Sequence, residues 1–368
     1  MMQTYRHGLV LGAFYPPTLQ DHALIRQAAA CATRVTVVVL GAARETISLA
    51  DRVDWLRSEH ADDADVTVVG IRCDIPADDA DSDAWAARLA LIQAALAGVT
   101  DDPVDAVFGS ELLGDEIAAR LSAVHPPSTD DHSGDTASSA AIRADLPVAW
   151  PLLSATVRAG LAVRVVILGA ESSGSTTIAR LLAEQYRRRG GAWADTAWVP
   201  EYARDYALIK WERAKTAAHA AGRTPPPLNQ IVWETPDFDL VAAEQTAQED
   251  AAAAVGSPLL VCDTDALATA VWERRYFGAR ARTRQPWAGP LLPRHDLYLL
   301  TDHVGVPWED DGMREGDLDV RAAMTGWFID TLTAGDHSWV LLTGPIEQRL
   351  ALAVRCTDAV IVTRHHLP

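Results

Sequence analysis

A short apolar run, Arg164-Val-Val-Ile-Leu168, breaks at Gly169 into Ala-Glu-Ser-Ser, reaches Gly174 and continues through Ser175-Thr-Thr177 into an apolar-periodic stretch, 178–188. Strand, Gly-x4-Gly loop, then helix is the layout of a phosphate-binding loop. The glycines let consecutive backbone N–H groups turn inward onto an anion, and the N-terminus of the following helix adds partial positive charge. On this reading Gly169, Glu171, Ser172, Ser173, Gly174, Ser175, Thr176 and Thr177 hold ATP, with the Thr176 hydroxyl on Mg2+. One part is missing: Ser175 stands where the usual loop has its lysine. A plain glycine turn between strand and helix would need no such spacing.

Lysine is almost absent from the whole chain, only Lys210 and Lys215, so arginine must carry nearly all cationic work. The formal charge of -18 repels a nucleic-acid backbone, and no basic stripe offsets it, so DNA and RNA are not expected as partners. No uncharged apolar run of about 18 residues occurs, nor a basic segment followed by an apolar one at the N-terminus. Neither a membrane span nor a secretory signal is therefore expected, and the reading is cytoplasmic. Cys31, Cys73, Cys262 and Cys356 are scattered without metal-ligand spacing, so neither a disulfide framework nor a zinc site is expected. With 368 residues, 49% of them hydrophobic, the chain has room for two cores.

The first half opens with an apolar strand, Gly8–Phe14, that runs into Tyr15-Pro-Pro17, a helix from His22 to Cys31 and a second strand, Arg34–Leu40. This is a βαβ unit and predicts a parallel sheet with ligands at the carboxyl ends of its strands. Helices Arg52–His60 and Asp83–Ala97 and strands Val66–Ile71 and Ala106–Gly109 extend the pattern. Residues 126–141 lack periodicity and read as a surface loop, and a helical stretch over 148–162 places the domain boundary near residue 160. The fold class is thus α/β, with two parallel-sheet domains over 1–160 and 161–368.

Gly12-Ala-Phe-Tyr-Pro-Pro-Thr-Leu-Gln-Asp21 resembles the GxFxPx[H/T]xGH signature of nucleotidyltransferases, and Asp105-Ala-Val-Phe-Gly-Ser-Glu-Leu-Leu-Gly-Asp115 resembles a stretch of the bifunctional NadR-type family. That resemblance implies an N-terminal Rossmann-like domain that adenylylates nicotinamide mononucleotide and a C-terminal P-loop kinase that phosphorylates nicotinamide riboside. Two departures mark the first site. Gln20 replaces the glycine and Asp21 the second histidine, with His22 one place late, and a carboxylate there opposes charge building on phosphates. The second phosphate motif survives only as Ser138-Ser-Ala-Ala-Ile-Arg143. Gly12, Phe14, Thr18, Asp21, His22 and Arg143 therefore form a degenerate adenylyltransferase site. A silent first domain, a fully bifunctional enzyme and a non-catalytic NAD-metabolite sensor all stay open, as does homo-oligomerisation. No helix-turn-helix pattern precedes residue 8, so the DNA-binding module of some members is not expected.

In the second half, Ala197-Trp-Val-Pro-Glu-Tyr-Ala-Arg204 ends an apolar approach in a carboxylate, a ring and an arginine. Glu201 is the candidate base for the attacking hydroxyl. The resemblance implies that Tyr202 stacks on the nicotinamide ring and that Arg204 holds phosphate. Residues 211–230 read as an insertion or long loop with an Ala-rich helical part, followed by a helix over 237–255. The strand Pro258-Leu-Leu-Val-Cys-Asp-Thr-Asp265 presents Asp263 as a Mg2+ partner, and Asp265 as a substrate contact or a helix cap. Arg314, in an Asp-Gly-x-Arg context after the strand 296–301, resembles the family's lid arginine over the transferring phosphoryl group, and Asp302 is a substrate-contact candidate. Arg274, Arg275, Arg280, Arg282 and Arg284 form a basic group that a solvated face also explains. The last strand, 339–344, leads into a helix expected to reach Cys356, with Gly344 and Glu347 as adenine-side contacts or an ordinary helix start.

Overall fold

A computed structural model of the chain describes residues 5–75, 82–109, 111–126, 139–278, 281, 295–307 and 317–367. Residues Met1–Leu161 with Arg364–Pro368 form one compact unit, and Ala162–Thr363 form a second.

Among the described residues the first unit carries a four-stranded sheet of β1 (Tyr5–Gly12), β2 (Ala32–Gly41), β3 (Val66–Arg72) and β4 (Ala106–Phe108), in the order β3-β2-β1-β4. Every pairing is parallel. The β2 run Arg-Val-Thr-Val-Val-Val-Leu is β-branched and buried on both faces, the signature of a parallel sheet covered by helices. Val10, Val37, Val39, Ile25 and Leu56 fill one side of this sheet; Leu9, Val38, Ile92 and Ile117 fill the other.

The second unit carries β5 (Val163–Gly169), β6 (Ala197–Val199), β7 (Leu259–Asp263), β8 (Leu297–Thr301) and β9 (Trp339–Leu342), in the order β6-β7-β5-β8-β9, again all parallel. The helices Ser175–Arg187 and Ile346–His365 bury Ile178, Leu182, Tyr186, Ala353 and Ile361 against Val165, Ile167, Val261 and Leu299 of one sheet face. Because β5 is central, its carboxyl end at Gly169 lies between the ends of β7 and β8, where open α/β sheets bind ligands.

Three expected elements differ. The stretch over 148–162 is broken, with a turn of helix at Leu146–Ala149, a 3-10 turn at Trp150–Leu152 and a helix at Ala155–Leu161. Pro151 has no N–H to continue an α-helix, and Ser154 Oγ accepts from Val157 N to start a new one. The segment expected from residue 211 as an insertion or loop with an Ala-rich helical part does have that helix, but as the end of one that starts earlier, Tyr202–Ala220 with Glu201 as N-cap. The final helix runs to His365 rather than Cys356, because Ile361 still has core to cover. No helix among the described residues is long and apolar enough to cross a membrane.

Candidate functional site

The loop between β5 and the helix Ser175–Arg187 is held shut from within. Ser173 Oγ donates to Ala170 O at 2.7 Å and lies 2.7 Å from Thr301 Oγ1, which donates to Leu168 O at 2.9 Å. A Cβ at position 169 would overlap both hydroxyls, so only glycine fits there. Gly174 takes φ 86°, and Ser172 also adopts positive φ, at 53°. Gly174 is the helix N-cap and provides no side-chain acceptor, so the first-turn N–H groups of Ser175, Thr176 and Thr177 face no cap. An anion is the natural complement of such an end.

Two arginines of distant sequence reach the back of this loop. Arg321, from the helix Leu318–Ala334, donates to Ser172 O at 3.1 Å, His303 O at 3.5 Å and Val306 O at 3.3 Å. Arg349, in the first turn of the helix Ile346–His365, donates to Ser173 O at 3.2 Å, Asp302 O at 2.6 Å, Gly344 O at 2.6 Å and Val304 O at 3.1 Å. No motif marks Arg321, and Arg349 reads in sequence as part of an ordinary helix start.

Beside the loop lies a cavity of about 260 Å³. Glu171 of the loop, Glu201, Arg204 and Arg275 give it polar groups, and Trp233 and Tyr276 are among its aromatic walls. Arg204 Nε donates to Glu201 Oε2 at 2.8 Å, and Arg275 Nε stands 3.9 Å from Glu171 Oε1. Trp233 and Tyr276 stack with centroids 5.7 Å apart, and Phe238 packs on both. No local motif marks this wall, since its rings come from a loop and two helices. Tyr202 is not among the lining residues; its ring pairs with Tyr206 at 6.2 Å.

The ends of β7 and β8 divide their carboxylates between two tasks. Asp263 ends β7, buried beside Ile167 in the register, and Thr264 N bonds back to Ile167 O at 3.0 Å. Asp263 and Thr176 offer hard oxygen donors of the kind Mg2+ takes. Asp265 turns into the fold: Oδ1 accepts from Ala268 N at 3.0 Å and Oδ2 from Tyr298 OH at 2.8 Å. Oδ1 thus braces the start of the helix Ala268–Phe277 and Oδ2 is held by Tyr298 of β8, so both oxygens are engaged within the fold. Asp302 Oδ1 accepts from Val304 N at 3.1 Å, closing its own loop. Gly344 sits at φ 83°, and Glu347 is exposed in the first helical turn. Arg314 lies outside the described residues, as do Arg280, Arg282 and Arg284.

Behind the helix start at Tyr202 runs a buried polar chain. Tyr202 N donates to Gln245 Oε1 at 3.0 Å, Gln245 Nε2 to Glu249 Oε1 at 3.3 Å, and His295 Nε2 meets Glu249 Oε2 at 2.8 Å. Burial works against the charged His295 ring, yet the bond to Glu249 and the charges of Asp265 and Glu249 lift its pKa above the ordinary value. Glu249, Cys262 and His295 bring metal-ligating atoms within 4.8 Å of one another, though Glu249 and His295 already satisfy each other.

In the first unit the degenerate motif is turned inward. Asp21 Oδ2 accepts from both Thr18 N and Thr18 Oγ1 at 2.7 Å, and Asp21 N donates to Thr18 Oγ1 at 3.2 Å, a reciprocal helix cap. Burial pushes the Asp21 carboxyl up, against those hydrogen bonds. His22 is fully buried, its Nδ1 3.1 Å from His60 Nε2, and burial lowers its pKa to about 4. Phe14, at φ 47°, lays its ring over Gly12. A cavity of about 460 Å³ is lined instead by Tyr15, Arg44, Glu45, Asp74, Arg88 and Arg143.

A family profile described as "AAA domain" matches residues 164–349, which takes in the phosphate loop, Glu201, Asp263 and Arg349. The chain belongs to this AAA-domain family. It is 27% identical over 167 residues to the Trifunctional NAD biosynthesis/regulator protein NadR of Escherichia coli (strain K12), a match covering 45% of this chain and 34% of the relative. It is 27% identical over 194 residues to the protein of that name from Salmonella typhimurium, covering 52% and 40%. The matches thus span well under half of each curated relative's length. Two solved NadR structures, one in complex with NR and one with NAD and AMP-PNP, superpose with TM-scores of 0.61 and 0.62 at 18% identity. Each covers 98% of this chain and 97% of the solved one, so in fold this AAA-domain member is of NadR type from end to end.

Proposed function

We propose that the second unit, taken as residues 161–368, transfers the γ-phosphoryl group of ATP to the 5′-hydroxyl of nicotinamide riboside, giving nicotinamide mononucleotide and ADP in NAD salvage. The observation that carries this reading is the cavity: it joins the phosphate loop at Glu171 to Glu201 and Arg204, and aromatic rings wall it. A nucleoside whose base is a cationic pyridinium suits that lining, since stacked rings and carboxylates both attract a flat cation. The complex of a NadR protein with NR supports the same choice of acceptor.

Glu201 accepts the hydroxyl proton as the new P–O bond forms, and Arg204 fixes the carboxylate through Oε2. The N–H groups of the loop and first helical turn hold the phosphates, with Gly344 and Glu347 on the adenine side. Thr176 and Asp263 would hold Mg2+, which when bound neutralises charge on the β- and γ-phosphates. Arg314 is assigned to the γ-phosphate by the family resemblance alone, and Asp302 to the substrate side by its place at the end of β8. The protein acts in the cytoplasm on small molecules, without nucleic acid.

For the first unit, taken as residues 1–160, the favoured reading is a nucleotidyltransferase-like domain without turnover. What supports it is Asp21 engaged in the helix cap and His22 buried on His60 with its pKa lowered to about 4, which leave a carboxylate and an uncharged ring where the motif needs a cation. The experiment is purified protein with ATP, Mg2+ and nicotinamide riboside, with both pyridine nucleotides followed by chromatography. Mononucleotide without NAD is the expected outcome. NAD formed from mononucleotide and ATP would restore the bifunctional reading; ATP binding with neither product favours a sensor.

A further inference from the structure

Among the described residues, the back of the phosphate loop holds two buried cations that make no ion pair. Arg321 is 1% exposed and Arg349 3%, and all their hydrogen-bond partners among those residues are main-chain carbonyls. Glu171 and Asp302 are the carboxylates whose charge reaches them, the first acting on Arg321 and the second on Arg349. Removing a guanidinium from water is strongly unfavourable unless something nearby compensates its charge. Loops can be tied by neutral donors; a fixed positive charge has a further use where an anion is to sit.

We propose that Arg321 and Arg349 together supply the cationic contribution that the loop lysine makes in the usual phosphate loop, compensating for Ser175. This rests on the reading of the loop as a triphosphate site. The two side chains come from different helices and converge on consecutive carbonyls, Ser172 O and Ser173 O. In a trans peptide the N–H points opposite to the carbonyl, so drawing Ser173 O toward Arg349 turns the Gly174 N–H to the other side. The guanidinium groups therefore act as positioning residues in two ways: they orient the loop's peptide dipoles and place net positive charge beneath them. The charge operates through a buried medium, where it is screened far less than at the surface. Arginine is suited to the task because it stays protonated when buried and its fork spans several acceptors at fixed angles. Arg321 Nε has no hydrogen-bond partner among the described residues, so part of its donor capacity is not spent on holding the loop.

A purely structural tie and a charge-supplying one separate in ligand affinity. The full chain and its Arg321→Met, Arg349→Met, Arg321→Lys and Arg349→Lys variants, each with and without Ser175→Lys, are titrated with ATP and with adenosine, alongside thermal unfolding. The charge role predicts that the Met variants lose at least about tenfold in ATP affinity while adenosine affinity holds. It also predicts that the Lys variants keep most of the ATP affinity, and that Ser175→Lys recovers more in a Met background than in the wild type. Folded Met variants that bind ATP as the wild type does, or that weaken ATP and adenosine equally, overturn it. Where a Met variant does not fold, Ser175→Lys alone decides: a gain under about threefold in the wild type supports the proposal, and any larger gain contradicts it. Wild-type protein that binds ATP without phosphorylating nicotinamide riboside would sink the kinase reading and leave this inference standing. Wild-type protein with no affinity for ATP would sink both.

Discussion

Arg204 donates its Nε–H to Glu201 Oε2 at 2.8 Å on the wall of the acceptor cavity, which fixes the carboxylate at the N-cap of the helix Tyr202–Ala220. The arginine stands one turn into the same helix, so the pair is local to one element. Glu201→Gln keeps the shape but removes the proton acceptor. Its kcat should fall by about 10²-fold or more with little change in KM for ATP. A fall of less than about threefold in steady-state assays would remove Glu201 from the chemistry.

Gly169 leaves no room for a side chain, since a Cβ would overlap Ser173 Oγ and Thr301 Oγ1. Gly169→Ala should break that hydroxyl pair, cost about 1–3 kcal/mol in stability and weaken ATP binding more than acceptor binding. Urea unfolding and calorimetric titration measure the two effects. Unchanged ATP affinity in a folded variant would mean that the loop is not the phosphate site.

Trp233 and Tyr276 face each other at 5.7 Å with planes 28° apart, and both line the cavity. Losing one ring removes stacking and cation–π attraction together. Trp233→Ala should raise KM for nicotinamide riboside by about tenfold or more while leaving KM for ATP within about twofold. A loss that falls on ATP instead would place the acceptor elsewhere.

The first unit should lose stability in mild acid. His22 has an ordinary pKa of 6.5 in the unfolded chain and, through burial, about 4 in the folded one. The unfolded state thus binds the proton first as pH falls. The stabilisation is complete above pH 6.5 and is lost as pH falls toward 4, by no more than about 3 kcal/mol for this residue. His365, also lowered by burial to about 4, adds to the same slope. Unfolding midpoints at pH 7 and pH 5 should differ less in His22→Gln than in the wild type; an equal difference would contradict the assignment.

The loop and its strands were readable because their constraints are local: Gly169 has no space for a Cβ, Gly174 needs positive φ, and β5 is a continuous apolar run. The NadR-type resemblance was likewise carried by short contiguous motifs. The aromatic wall and the two arginines were not readable, since Trp233 and Tyr276, or Arg321 and Arg349, meet only once the helices are packed. Asp265 shows the same limit within one strand end. Sequence left it between substrate contact and helix cap; the bond to Ala268 is local, but the one to Tyr298 depends on a residue 33 positions away. In the first unit the loss of the phosphate motif was visible as letters, but the inward turn of His22 depended on its partner, His60.

The most direct test of the kinase reading is single-turnover formation of nicotinamide mononucleotide from nicotinamide riboside, ATP and Mg2+ by the wild type and by Asp263→Asn. The account predicts mononucleotide with the wild type and at least about a hundredfold less with the variant, both proteins remaining folded. Equal rates in the two, or no mononucleotide from a wild type that binds ATP, would contradict it.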